Sequence, residues 1–593
     1  MMGRTVTKIG RLITMENIKC IRLKSLMTYL FFMSFGQFFL HGCTLKESLY
    51  GVSPADGYIQ SDADVAVLAN GIYAQYQSYS LYKSSAHGMI LFSADEFSTP
   101  SFANQGYWLT HSELSTDPYI NSSWNNFFAA INRSNSLIES INKAGSLVTA
   151  ATRKKVIGEM YFMRGFTYFN LVRLFGGVPV SLSSSQPNNN FSKPRQSIDS
   201  VYHQIFIDLS NANQMCIPYS LQPTAERGRA TKGAAQAILA LAYLTYANYC
   251  DLNNRSSESP KYYTLANSFS DSVINSNQYR LLPYYASIFD VSNEPMAYNE
   301  VIFGIQQTRD FTTANQNSKG SQMAYTTTSG NEPYVCGNQT NGYGAGTVQI
   351  QPWFYDLYRT GDYNKNGVND YRTDYNFLTN WYSTTSIPIS HFITYPVVVA
   401  DSANLNRKTQ PYLNKYRDPN GLDPWNNEND EYIIRLAEVY LIKAEALNEL
   451  GQPGIAWNIF MTVRRRARLA DGNPRSVPAD LPLGLSKTDF RMAVFNERGL
   501  ELAGEFSRWF DCVRMQYGNT GKCMLQWRFE TFYPQLASNQ MTLPVWNSFA
   551  KKWVGGTVQP VTVIPWIDKY KLFPIPAAEL AANANFGNQN PGW

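Results

Sequence analysis

The chain has 593 residues, 44% of them apolar and 14% aromatic, and only 16% charged; this is enough length and apolar content for a large core and more than one domain. The formal net charge of +5 comes from residues 1–42, which hold six Lys/Arg and one Glu and leave 44 basic and 44 acidic residues in the remainder. A neutral, ring-rich chain lacks the basic footprint of a nucleic-acid binder and suits an uncharged ligand that stacks on rings.

At the start of the chain, Lys19, Arg22 and Lys24 precede an apolar run from Leu26 to Leu40. A basic region followed by a short apolar core describes a secretory signal, and the run is too short for a comfortable membrane span. It ends in Leu40-His41-Gly42-Cys43, which resembles a bacterial lipobox despite the unusual His41. Residues 1–42 are therefore read as a lipoprotein signal peptide, with Met15 as an alternative start. Cys43 is expected to carry the lipid that anchors the mature chain to a membrane.

Thr44 to Ser61 is polar and reads as a tether. Val65, Ala69, Ile72 and Tyr76 recur at helical spacing and predict a helix over 62–79. Residues 80–120 hold many rings among Ser, Asn and Thr and read as irregular surface loops. Amphipathic helices are predicted over 124–141, 152–175, 198–215, 230–249 and 262–275. From 311 to 430, Asn, Gly, Thr, Ser and Tyr crowd in and helical periodicity fades, apart from a short helix near 352–359. Loops this long are usually functional or disordered.

The helical pattern resumes at Glu431. Ile433, Leu436, Ala437, Tyr440, Ala444 and Leu447 form one stripe, Gly451 supplies a left-handed stop, and Pro453 opens a helix bearing Ala456, Ile459, Phe460, Val463 and Ala467. This is the pattern of a tetratricopeptide hairpin, which buries its face only by stacking on neighbours. A single long helix is expected from Ser486 to about Met515, and the tail from Lys569 is expected to pack back on the body. The fold expected is mostly α, a tetratricopeptide-like helical-repeat scaffold with a long loop-rich, partly irregular ligand-binding region. It divides into the leader 1–42, a helical region 43–310 with aromatic loops, an excursion 311–430, and a region 431–593 that completes the scaffold.

Candidate chemistry is sparse. With Cys20 in the leader and Cys43 lipidated, Cys216, Cys250, Cys336, Cys512 and Cys523 remain, at no metal-ligand spacing, and are read as buried single thiols. Glu497, Glu501, Glu505 and Asp511 tempt as a glycosidase pair. The flanking Arg498, Arg508 and Arg514 at three-residue spacing point instead to ion pairs on a helix face. Two acids one turn apart on one helix also cannot flank a sugar from opposite sides. Asp362, Asn364, Asn366 and Asp370 resemble the start of a calcium loop, but Thr373 stands where the bidentate Glu belongs. The expectation is no metal and no cofactor, with calcium the alternative.

The aromatic loops are the remaining candidate, because a sugar offers an apolar C–H face beside polar hydroxyls. Tyr107 and Trp108 beside Asn104 and Gln105 fit such a site, as do Tyr325, Tyr334 and Tyr343 beside Asn338 and Asn341, and Trp381 beyond them. A shallow aromatic surface is expected where the 93–120 loops meet the 311–350 stretch. Trp124, Trp353, Trp457 and Trp509 sit on apolar helical faces and are expected in the core.

Five segments carry a resemblance. They are Met163-Arg-Gly-Phe-Thr-Tyr-Phe-Asn-Leu-Val-Arg-Leu-Phe-Gly-Gly-Val-Pro179, Gly228-Arg-Ala-Thr-Lys-Gly-Ala-Ala235, Arg435-Leu-Ala-Glu-Val-Tyr-Leu441, Asn496-Glu-Arg-Gly-Leu-Glu-Leu502 with Arg508-Trp-Phe-Asp511, and Phe573-Pro-Ile-Pro576 with Gln589-Asn-Pro-Gly592. In this order, behind a lipobox, the chain resembles the SusD/RagB family of nutrient-binding lipoproteins. Gly165 stands where the family usually has Ala, and Gly499 where it often has a larger polar residue. The resemblance implies about four helix pairs, no catalysis, and a glycan ligand captured at the cell surface. It also implies a SusC-like TonB-dependent transporter as partner in the outer membrane. A peptide ligand, as for RagB-like members, is the closest alternative; a surface glycosidase and a protein-binding helical scaffold are more distant ones.

Overall fold

In the computed structural model the described residues are 58–98, 106–184, 192–308, 332–336, 339–344, 348–383, 392–394, 411–420, 427–470, 473–538, 541–547, 552–558 and 563–593. The long helices are α1 (Asp62–Tyr76), α4 (Pro118–Lys143), α5 (Ala150–Phe175), α6 (Ile198–Met215), α7 (Lys232–Leu252) and α8 (Ser259–Ile274), with the shorter α2 (Ser85–Phe92) and α3 (Gly106–Leu109) between the first two. Side-chain caps set their starts. Asp117 Oδ1 accepts from the amides of Tyr119 and Ile120, with Pro118 in the first turn, and Thr149, Ser197 and Thr231 cap α5, α6 and α7. Each helix packs on the next, α4 on α5, α5 on α6, α6 on α7 and α7 on α8.

Two short helices, α9 (Pro352–Leu357) and α10 (Tyr371–Asn376), follow, then α11 (Leu436–Glu449), α12 (Pro453–Arg466), α13 (Lys487–Glu501) and α14 (Arg508–Arg514). α11 packs directly on α8, so the long intervening segment is looped out of a stack that continues without it. Gly451 sits at φ 75° between α11 and α12, a turn that a Cβ would strain. The tail does pack back: Phe573 N donates to the Leu174 carbonyl at 2.8 Å, and Asn590 Nδ2 donates to the carbonyls of Phe573 and Phe175.

Three expectations are corrected. Residues 431–435 form a strand rather than the first turn of α11, paired with Val301–Ile305; Glu431, Tyr432, Ile434 and Arg435 are all buried, which a helix with one apolar face would not allow. Residues 85–92 are a helix buried on every side, Ser85 and His87 included, rather than surface loops; the apolar run Met89 to Phe92 leaves its second half no polar face. The helix from Ser486 stops at Glu501. Its terminal carbonyls are taken by side-chain donors instead of by further turns. Asn376 donates to the Leu500 carbonyl, and Tyr285, Lys415 and Arg435 donate to that of Glu501.

Gly499 is also more constrained than its sequence position suggests. A Cβ there would lie 2.4 Å from the Tyr358 hydroxyl and 2.9 Å from Arg508 Nη1.

The excursion is richer in strands than its composition suggests. One four-stranded antiparallel sheet runs in the order β1 (Phe97–Ser98), β5 (Gln349–Ile350), β9 (Tyr412–Leu413), β6 (Phe377–Leu378). The second runs β8 (Phe392–Thr394), β7 (Asn380–Ser383), β3 (Glu332–Cys336), β4 (Gln339–Gly344). Apart from these sheets, β2 (Val301–Ile305) pairs with β10 (Glu431–Arg435), and β11 (Met541–Asn547) pairs with β12 (Lys552–Val558).

Candidate functional site

The excursion is rooted in a buried ion network. Arg372, on α10, has its guanidinium 2.7 Å from each of Asp370, Glu497 and Glu501. Arg435, at the end of β10, meets Glu300 at 3.0 Å, Glu501 at 2.6 Å and Glu505 at 2.8 Å. Lys415, just after β9, holds Glu505 at 2.6 Å, while Arg464 and Arg466 of α12 close the set on Glu497, Glu300 and Glu501. Five cations thus face five carboxylates, all buried. Burial pushes the Glu501 carboxyl up, and Arg466, Arg435 and Arg372 together overcome it, holding the group well below the usual carboxylate range.

The network settles two candidate readings. Glu497 and Glu501 have no exposed surface and each is bridged to guanidiniums, so they do not form a substrate-facing acid pair. The ion pairs expected along one helix face are mostly tertiary. Arg498 holds Glu438 and Asp511, and Arg508 holds Asp95 at 2.6 Å instead of Glu505 or Asp511. Arg514 with Asp511 is the pair that keeps its expected spacing.

The residues of the calcium candidate fall in a hairpin and its flanks. Asn364 to Asn369 is a tight hairpin, with Asn366 at φ 54° and Gly367 at φ 81°. Asp370 turns inward to Arg372, while the Asp362 side chain is 51% exposed. Among the described residues no three His, Cys, Asp or Glu side chains gather as a metal site. Cys216, Cys250, Cys512 and Cys523 are free and buried.

From the rooted α10 the chain passes through β6 directly into β7, which carries Trp381. β7 pairs with β3, placing Tyr334 opposite Ser383, and β3 pairs with β4, placing Pro333 opposite Tyr343. Trp381 lies opposite Ile393 on β8. Tyr334, Tyr343 and Trp381, spread over three segments of sequence, therefore share one antiparallel sheet. Asn341 and Asn380 lie in its strands. The other sheet joins the two stretches expected to meet, with Phe97 opposite Ile350.

Trp108 requires correction. It lies on α3 with no exposed surface, its ring 6.3 Å from Phe92 and edge-on to Tyr107 and Tyr119. It is a core residue, not an exposed stacking platform. A ring of that size on a one-turn helix is buried because α2 and the start of α4 close over it. Tyr107 is half-buried beside it, its phenol pushed up by burial and by the Asp117 carboxylate. Asn104, Tyr325 and Cys43 lie outside the described residues. Trp124, Trp353 and Trp509 are in the core as expected, and Trp457 is partly exposed, its indole N–H donating to the Leu481 carbonyl.

The β11–β12 hairpin was not anticipated from sequence. Its register sets Trp546 opposite Trp553, a second pair of rings on strands. The alternation of Met541, Leu543 and Val545 with Thr542 and Pro544 is the signal available in the sequence, and Trp546, Pro544 itself and the pair Gly555-Gly556 obscure it.

Comparison with known proteins now bears on this geometry. The family model described as "SusD family" matches residues 299–593, and one described as "Starch-binding associating with outer membrane" matches residues 46–244. SusD-like protein P2 of Formosa agariphila is 27% identical over 576 residues, covering 93% of this chain and 97% of that protein. A SusD homolog from Bacteroides thetaiotaomicron superposes with a TM-score of 0.73 at 23% identity, over 91% of this chain and 98% of the other. A laminarin-binding SusD-like protein superposes at 0.65 and 20% identity, over 90% and 100%.

Proposed function

The chain belongs to the SusD family, and from that premise we propose that it is a non-catalytic glycan-binding protein of the outer membrane surface. In this reading Cys43 carries the lipid anchor, and captured oligosaccharide passes to a SusC-like TonB-dependent transporter. The observation that carries the proposal is the sheet of β3, β4, β7 and β8, which draws Tyr334, Tyr343 and Trp381 together with amide-bearing residues on a segment rooted by Arg372. Paired strands hold residues at fixed spacing better than free loops do, and such preorganisation lowers the ordering cost of binding a sugar. A laminarin-binding relative and a starch-binding family description support a glycan ligand.

The test is isothermal titration of the mature chain against a panel of neutral glycans and peptides, with Trp381→Ala beside the parent. Saturable glycan binding, weakened in the variant, supports the reading. Saturable peptide binding with no glycan bound overturns it. Localisation has its own test: Cys43→Ala should leave the outer-membrane fraction, and a variant that stays there removes the lipid anchor from the account.

A further inference from the structure

A cavity of about 260 Å³ lies where the end of α5, the start of α6, the end of α7 and α14 meet the tail at Lys571 and Leu572. That exceeds the roughly 150 Å³ known to suffice for benzene. Val172, Ile198, Leu252, Val513 and Leu572 make much of its wall apolar. Three cations line it, Arg173, Arg514 and Lys571, and no carboxylate does. It shares no residue with the ring-bearing sheet.

Two of these cations are engaged. Arg514 holds Glu445 and Asp511, and Lys571 meets the surface carboxylate of Asp568 at 3.1 Å. Arg173 is different. Its Nε donates to the Phe169 carbonyl at 3.2 Å and its Nη2 to Asn170 Oδ1 at 2.7 Å. No carboxylate of the described residues lies within ion-pair distance of it. The guanidiniums of Arg164, Arg229, Arg372, Arg435, Arg498 and Arg508, by contrast, each meet one within 3.4 Å. Arg173 is also fixed in place, between the rings of Phe169 at 3.9 Å and Phe510 at 3.8 Å. Burial draws its pKa down to about 10, so the group still carries its charge at neutral pH. Glu438 and Asp511 act on Arg173 only from beyond ion-pair distance; a low-dielectric site with a fixed cation that no carboxylate pairs directly favours an anion, and apolar walls favour a ligand with an apolar body.

We propose that this cavity is a second binding site, separate from the sheet, for a small organic anion: an aromatic or aliphatic carboxylate whose apolar body fills the cavity and whose carboxylate pairs with Arg173. The proposal stands independently of the glycan reading.

The probe is 3-phenylpropionate, titrated calorimetrically into the mature chain beside its uncharged amide, 3-phenylpropionamide. The acid should bind saturably with one site, and the amide about tenfold more weakly or less, since a charge-assisted pair is lost. Leu252→Trp places an indole at the partly exposed edge of the cavity and should abolish binding while the melting temperature holds. Arg173→Gln should bring the acid down to the affinity of the amide. Because Arg173 is packed between two rings, Leu252→Trp carries the test if that variant does not fold. Equal affinity for acid and amide, binding unchanged by Leu252→Trp, or no saturable binding of the acid overturns the proposal.

Discussion

The root of the excursion and the sheet it leads to are built from opposite materials. At the root, five cations and five carboxylates are buried with almost no solvent contact, and each guanidinium bridges elements far apart in sequence. The sheet of β3, β4, β7 and β8 has no Lys or Arg, and Glu332 is its one carboxylate among Tyr, Trp, Phe, Asn, Gln, Thr, small residues and the aliphatic Val335 and Ile393. Charges taken out of water hold only where geometry is complete, so they suit a fixed anchor. Rings and amides tolerate water and make adaptable contacts, so they suit a surface that meets a neutral ligand. Eight residues of chain lie between Arg372 and Trp381, which couples the two materials closely.

The sharpest way to break the anchor is Arg435→Met. It would leave Glu300, Glu501 and Glu505 short of a partner in a dry interior, a loss of about 3–5 kcal/mol. Chemical denaturation should show a lower midpoint, and Arg435→Lys should recover little, since an ammonium cannot bridge three carboxylates as the planar fork does. A midpoint equal to the parent's would mean that the network is not a stabilising anchor.

Two tryptophans distinguish the core from the proposed binding sheet. Trp108→Ala opens a void among Phe92, Tyr107 and Tyr119 and should cost about 3–5 kcal/mol, with ligand affinity unchanged in the folded fraction. Trp381→Ala should do the reverse. Affinity for a bound glycan should fall by about 2 kcal/mol, roughly thirtyfold, while the melting temperature holds. Should Trp108→Ala melt normally and lose binding, the assignment of that ring to the core fails.

Much of the scaffold was legible because helices announce themselves locally. The 198–215 boundaries agree with the structure, as do the Gly451 stop and the Pro453 start. What was not legible depends on partners distant in sequence. Ion pairs were expected at three-residue spacing on one continuous helix. Arg508 instead finds Asp95, more than four hundred residues away, and the helix ends where Lys415 and Arg435 take its carbonyls. Trp108 reads as a surface ring because Asn104, Gln105 and Gly106 stand just before it, whereas in space it packs among Phe92, Tyr119 and the adjacent Tyr107. The strands that gather Tyr334, Tyr343 and Trp381 were hidden for the same reason: short, polar, bulged segments carry no period of their own until they pair.

A further effect to be expected is a difference in pH dependence between two classes of buried carboxyl. Glu501 is held low by its arginines, so its contribution is fully present above its ordinary value of 4.5 and is lost as pH falls below it. Glu96, Glu113 and Glu431 behave in the opposite sense. Burial pushes each up to about 8, so each is neutral in the fold where the unfolded chain would ionise it. Their contribution is complete below 4.5, declines as pH rises from there towards 8, and is level beyond. The two classes therefore act on opposite sides of the same pH, and a stability profile across it separates them. Glu113 is the cleanest probe, because one of its oxygens has no hydrogen-bond partner and it lies outside the ion network. Glu113→Gln keeps the shape and removes the titration, so it should flatten part of the decline between pH 5 and 8 and leave the acid limb unchanged. A variant whose acid limb shifts instead would show that Glu113 is coupled to the network, and the division of these buried carboxyls into an ionised and a neutral class would have to be redrawn.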